Sequence, residues 1–193
     1  SGWASIFTTV GNSGKRQILQ FLLPGDLLGY QTDINGGMLH SATTITEAVL
    51  CVFPREKISP MLKENTDLSV RFIEMWSRDM SLCQNYLMAV GRKTARESVT
   101  FLLLELYYRV KYQNPESYTS SVNAIYFPIT QEDIGDAVGL TKVHVNRVIK
   151  GLMDEKLIYC HKKKLAILNE ERLCEIAGYT HEMAHPQIPD KKY

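Results

Sequence analysis

The sequence predicts an α+β chain with a small β-barrel or jelly roll first, then one long helix, then a winged helix-turn-helix. Three observations carry this. Residues 4–54 show strand-type alternation cut by closely spaced turn signals. Residues 67–90 hold neither glycine nor proline. Residues 130–167 read as two short capped helices followed by two short strand patterns around a basic run.

Composition sets the bounds. The 193 residues suffice for one domain or two small ones, and 45% hydrophobic with 22% charged residues is ordinary for a globular protein. The formal net charge of +1 gives no bulk attraction to a polyanion, so any nucleic-acid affinity must come from local clustering. The four cysteines, Cys51, Cys83, Cys160 and Cys174, form no CxxC pair. That argues against a disulfide framework and against a closed zinc or iron–sulfur site, and for free thiols in a reducing compartment. No apolar run reaches the ~20 residues of a membrane span, and no secretory leader opens the chain. A cytoplasmic location without membrane contact is expected. "SGWASIF" reads as the middle of a strand, so an N-terminal portion of the domain is expected to be missing.

In "ASIFTTV", Ala4, Ile6, Thr8 and Val10 alternate as a strand requires. "GNSG" (Gly11 to Gly14) is a turn, and "KRQILQFLL" resumes the strand with Leu19, Phe21 and Leu23 on one face, which makes a hairpin. "PGD" turns the next corner, "NGG" (35–37) marks a loop, and "ATTITEAVLCVF" gives a long β-branched stretch ending at Pro54. "GNSGKR" is not a phosphate-binding loop, because Thr9 and Arg16 stand where that motif needs a glycine and a hydroxyl.

Asn65 to Asp67 supply capping residues for the long helix, and Gly91 stands at its end. Ile73, Trp76, Met80, Cys83, Leu87 and Val90 make one apolar seam. Leu68, Phe72, Met75, Leu82 and Tyr86 make most of a second, interrupted by Asp79. Two seams mean cover on two sides, one by the chain's own domain and one by a second copy of the helix. "GRKTARESVTFLLLELYYRVKY" starts another helix with Val99, Leu102, Leu103 and Leu106 on a core face, and residues 113–123 read as a polar loop.

"AIYFPIT" is a short strand. Thr130 then caps a helix with Asp133 as capping-box partner and Ile134, Ala137 and Val138 inward. Gly139 breaks it and Thr141 caps the next, with Val145, Val148, Ile149 and Leu152 inward. Two short helices joined by a three-residue glycine turn form a helix-turn-helix. The second helix leaves Lys142, Val143, Asn146, Arg147 and Lys150 outward with His144 beside them, and no acid. Arg147 offers a fork to guanine, Asn146 a bidentate edge to adenine and Val143 a contact for a thymine methyl. Thr130, Gln131, Thr141 and Lys150 suit phosphates. "HKKK" (His161 to Lys164) lies between two strand patterns, a wing whose Lys162, Lys163 and Lys164 suit phosphates or a neighbouring groove.

On these residues the chain resembles the Crp/Fnr family of bacterial transcription regulators, up to about Tyr179. The strongest match is "ITQEDIGDAVGLTKVHVNRVIKGLMDEKLI" and the second "GKRQILQFLLPGDLLG". The resemblance implies a partial β-roll or jelly-roll effector domain over 1–58, a dimerisation helix and connector over 59–91, a winged helix-turn-helix over 92–179 and a polar tail over 180–193. It implies a homodimer joined through Ile73, Trp76, Met80, Cys83 and Leu87. Each recognition helix would enter one half of a palindromic operator with half-sites ~34 Å apart, and RNA polymerase would be a further partner. The effector pocket would involve Gly29, Tyr30, His40 and Ser41. Members that bind cyclic nucleotides carry Glu and Arg where Tyr30 and His40 stand; a neutral His is a poor holder of a cyclic phosphate, which argues against cAMP. The cluster-ligating cysteines of the oxygen sensors lie largely in the missing N-terminal region, which argues against an iron–sulfur cluster. Val143 replaces a Glu that many members use to read bases, so the operator should differ there.

"HEMAH" (His181 to His185) fits the zinc-protease signature. Pro186 follows at once and no apolar helix surrounds it, so a chance match is expected and no metal site is read. No nucleophile–base set is visible, so an enzyme is not expected. The alternative from another class is a ligand-sensing β-domain whose helical part docks protein rather than DNA.

Overall fold

The computed structural model describes residues 1–29, 37–113 and 123–180. Strands β1 (Ala4–Val10) and β2 (Lys15–Leu22) form the expected hairpin, closed by a short 3-10 turn and by Gly14 at φ 66°. Strand β3 (Ser41–Thr44) joins the other edge of β1, so the antiparallel sheet runs β2-β1-β3. The expected face of Leu19, Phe21 and Leu23 is corrected. Ile6 pairs with Gln20 but Phe7 with Ile18, so Leu19 is the extra residue of a β-bulge. The bulge resets the alternation, so Leu19 is 38% exposed while Ile18 and Phe21 enter the core.

The long strand expected up to Pro54 is also corrected. Only Ser41–Thr44 is strand. Val49 still exchanges backbone hydrogen bonds with Ser1, at 3.0 and 3.1 Å, but Leu50, Val52 and Phe53 stand exposed without regular structure. A strand forms only against a neighbouring strand, and β-branched residues alone do not supply one. Helix α1 (Arg55–Glu64), with Pro60 inside it, follows and was not anticipated.

Helix α2 (Thr66–Arg92) starts where expected, with the Asn65 side chain accepting from the Leu68 N–H. Its two seams behave differently. Leu82 and Tyr86 are buried and Leu68, Phe72 and Met75 half-buried. Ile73, Trp76, Met80, Cys83, Leu87 and Val90 are exposed, Ile73 at 67% and Leu87 at 74%.

Helix α3 (Ala95–Gln113) is buried all round from Ser98 to Arg109, beyond the one-sided core face expected. It is the axle of a single continuous core. Trp3, Ile18 and Phe21 of the hairpin pack there with Leu102, Leu106, Ile134 and Leu152. Strand β4 (Ile125–Tyr126), helices α4 (Gln131–Val138) and α5 (Lys142–Asp154), and strands β5 (Ile158–His161) and β6 (Lys164–Ile167) complete the winged unit, with sheet order β4-β6-β5. Helix α6 (Glu170–Ala177) closes it. It too was not anticipated, although Asn169 caps its start and Gly178 its end.

A buried ionic knot ties these parts together. Asp26, at the corner after β2, accepts from Arg109 of α3 and, at 3.1 Å, from Arg78 of α2. Arg109 also donates to Glu105 at 3.0 Å and to the Phe21 carbonyl at 3.2 Å. The Tyr86 hydroxyl completes it by donating to Glu105 at 3.1 Å. Burial pushes the Tyr86 phenol and the Glu105 carboxyl up. Removing Arg109 leaves the buried Glu105 carboxyl with no cation and Asp26 with Arg78 alone. Arg109→Ala is therefore expected to lower unfolding stability by about 3–5 kcal/mol, read as a fall in the urea midpoint; a loss below about 1 kcal/mol would show that the knot holds nothing.

Candidate nucleic-acid interface

Local chemistry builds the helix-turn-helix. The Thr130 side chain accepts from the Asp133 N–H, and the Asp133 carboxylate accepts from the Thr130 N–H, a complete capping box. Helix α4 ends on Gly139 at φ 72°, a conformation that favours glycine. Gly135 matters as much and went unremarked in the sequence. A Cβ there would lie 2.4 Å from the Leu140 carbonyl oxygen. The turn thus closes because residue 135 has no side chain, and the Leu140 N–H donates to the Gly135 carbonyl at 2.9 Å. A lone glycine inside a short helix was the available signal.

Thr141 caps α5 by accepting from the His144 N–H. Val145, Ile149 and Leu152 are buried and Val148 half-buried, so the inward face is as expected. Lys142, Val143, His144, Asn146, Arg147 and Lys150 all stand exposed. Val143 is 70% exposed, an apolar side chain with no cover from its own chain. Thr130 and Thr141 are exposed at the two helix starts, and Gln131 is half-buried. Its Nε2 donates to Asn146 Oδ1 at 3.3 Å, a contact that sequence reading missed. At the far end of α5, Arg96 grips Glu155 in a two-pronged pair at 2.6 and 2.7 Å, which fixes the helix against α3. That hydrogen bond from Arg96 holds the Glu155 carboxyl below its usual range.

The wing is a two-residue hairpin. Lys162 and Lys163 form its tip at φ 48° and 58°, and Lys164 begins β6 paired across to His161. The Phe127 N–H donates to the Lys163 carbonyl at 2.8 Å, anchoring the tip to the strand before α4. Cys160 lies behind the recognition helix, where burial pushes its thiol up and keeps it protonated.

The hairpin domain reaches this unit directly. Arg16 pairs with Asp133 at 2.6 Å and Asp136 at 2.7 Å, both on α4, and Gln17 donates to the Ala137 carbonyl at 3.1 Å. Within the sheet domain, Gly29, His40 and Ser41 line one cleft of about 420 Å³ with Ile6, Leu28 and Met38. Tyr30 and the HEMAH motif lie outside the described residues. Among the described residues, no helix is long and apolar enough to cross a membrane.

A capped two-helix unit with a basic wing and an outer face that carries Lys142, Asn146, Arg147 and Lys150, with an acid, Asp154, only at its far end, defines a winged helix-turn-helix protein shaped for duplex DNA. The family model for the Crp-like helix-turn-helix domain matches residues 94–176, and that for the cyclic nucleotide-binding domain matches residues 1–65. The chain is 28% identical over 183 residues to the transcriptional activator protein FnrL of Cereibacter sphaeroides, covering 92% of this chain and 71% of that protein. It is 30% identical over 165 residues to the transcriptional activatory protein AadR of Rhodopseudomonas palustris, covering 86% of this chain and 66% of that one. It shares the fold of FixK2 from Bradyrhizobium japonicum, with TM-score 0.75, 22% identity and coverage of 93% of this chain and 85% of that chain. The chain belongs to the Crp/Fnr family of DNA-binding transcription regulators.

The closed turn yields a test. Gly135→Ala forces a carbon against the Leu140 carbonyl and is expected to cost about 1–3 kcal/mol, seen as a lower thermal midpoint; an unchanged midpoint would mean that the turn relaxes freely.

Proposed function

We propose that the chain acts as a homodimer on a palindromic operator, with one α5 in each half-site and the half-sites ~34 Å apart. The observation that carries this reading is the outer face of α5, where Lys142, Asn146, Arg147 and Lys150 stand exposed and the one acid, Asp154, is the last residue of the helix. A net charge of only +1 does not attract DNA, so the affinity must come from this face and the wing.

In this reading Arg147 forks to a guanine, and Val143 meets a thymine methyl. His144 and Asn146 add base contacts and Lys142 a base or phosphate contact. Thr130, Gln131, Thr141, Lys150, Lys162, Lys163 and Lys164 hold phosphates and set register. The exposed seam of α2 from Ile73 to Leu87 packs against its copy in the partner subunit. A signal at the cleft lined by Gly29, His40 and Ser41 shifts the population between two arrangements of the dimer, changing the spacing of the recognition helices. With His40 in place of an arginine, cAMP is not the expected signal. RNA polymerase is the further partner this reading implies, and the cytoplasm its setting.

Two outcomes check it. Arg147→Ala should cost about 1–3 kcal/mol and relax one operator position, whereas Lys163→Ala should weaken binding to all sequences and reduce the salt slope by about 1; gel shifts over a salt series separate the two, and unchanged operator binding by Arg147→Ala would sink the assignment. Ile73→Glu with Leu87→Glu should convert the dimer to monomer in sedimentation equilibrium with helix content retained; a dimer that survives both would move the interface elsewhere.

A further inference from the structure

The Gln131–Asn146 contact changes what Asn146 has to offer DNA. An asparagine reads adenine by using both ends of its amide at once, Oδ1 accepting from N6 and Nδ2 donating to N7. Here Asn146 Oδ1 already accepts from Gln131 Nε2, at 3.3 Å. Gln131 is the first residue of α4, held by the Thr130–Asp133 capping box, so its backbone is anchored independently of α5. Asn146 stands on the first turns of α5, one residue before Arg147. The two side chains share a cleft of about 300 Å³ whose other walls include Phe127, Ile129, Ile134, Ile149 and Met153. Such apolar walls disfavour swinging either amide inward, since its polar atoms would lose water without gaining partners.

We infer that Gln131 is a specificity-determining positioning residue: by engaging Asn146 Oδ1 it leaves Asn146 presenting its Nδ2 donors outward, so that Asn146 reads a keto base, guanine or thymine, beside the base read by Arg147. The adenine edge is disfavoured because its N6 donor must share Oδ1, one lone pair of which Gln131 already engages and aims towards α4. The inference rests on the DNA-reading function of α5 proposed above. It assigns Gln131 a role through Asn146 in addition to any phosphate contact.

The test is selection from duplex DNA with randomised half-sites at fixed salt, using the full chain as wild type, Gln131→Ala, Gln131→Glu, Asn146→Ala and the Asn146→Ala double variants. Wild type is expected to select a keto base at the position next to that of Arg147. Gln131→Ala should weaken that preference about 3- to 10-fold, the worth of one hydrogen bond, with the preference at the Arg147 position retained. Gln131→Glu has no donor for Oδ1 and accepts from Nδ2 instead, which turns the amide over and should move the preference towards adenine or cytosine. In the Asn146→Ala background the Gln131 substitutions should leave base preference unchanged, because a purely structural or phosphate-binding glutamine would act with or without Asn146. The inference is overturned if Gln131→Ala keeps the wild-type preference, or if wild type shows none at that position while still selecting a guanine for Arg147. A wild-type chain that selects no sequence at all overturns the DNA-reading function itself.

Discussion

The rest of the structure depends on the Arg109 guanidinium. It is buried in the core with Asp26 on one Nη, Glu105 on the other and the Phe21 carbonyl accepting from both. Through those contacts one buried cation joins the corner of the β-hairpin to α3, and Asp26 passes the link on to α2 through Arg78. A buried ion pair is a poor source of net stability, because desolvation offsets most of its attraction. What it supplies here is geometry: the charges are mutually satisfied in one arrangement of sheet, connector helix and winged unit. The Arg16 pairs with Asp133 and Asp136 repeat the theme at the surface, where they tether the hairpin tip to α4.

Helix α5 shows how that frame is used. Val143, Val145, Val148 and Ile149 are indifferent helix formers, yet the helix stands because three of them are covered and its two ends are held by Thr141 and by Arg96 through Glu155. Tertiary burial outweighs intrinsic propensity. With its ends fixed, the helix can devote its outward positions to Lys142, Val143, Asn146, Arg147 and Lys150, which stand exposed and of which Asn146 alone is tied to α4, through Gln131.

Much of this was legible in the sequence. Caps and breakers are local, so Thr130, Gly139, Thr141 and Asn65 announced their helices by residue type and spacing. The two seams of α2 were legible because the period of a helix sorts residues onto faces; the structure leaves one exposed and covers the other. What stayed hidden needed a partner distant in sequence. The bulge at Leu19 exists only in the pairing of β1 with β2, so alternation within one strand put the wrong residue in the core. The stretch up to Pro54 has strand composition, yet beyond Val49 no neighbouring strand pairs with it among the described residues. Gln131 and Asn146, and Arg16 with Asp136, meet across long separations that no spacing rule reports.

The tip of the wing carries a cost of its own. Lys162 and Lys163 adopt left-handed backbone conformations that disfavour branched or bulky side chains and that Asn-Gly occupies with ease. A two-residue turn chosen for folding alone would hold that pair, with less backbone strain. It would also remove two positive charges from the tip of the wing. In the DNA-binding role proposed for the wing, thermostability and affinity for a polyanion pull in opposite directions at this tip, and screens that reward only thermal resistance will tend to discharge it.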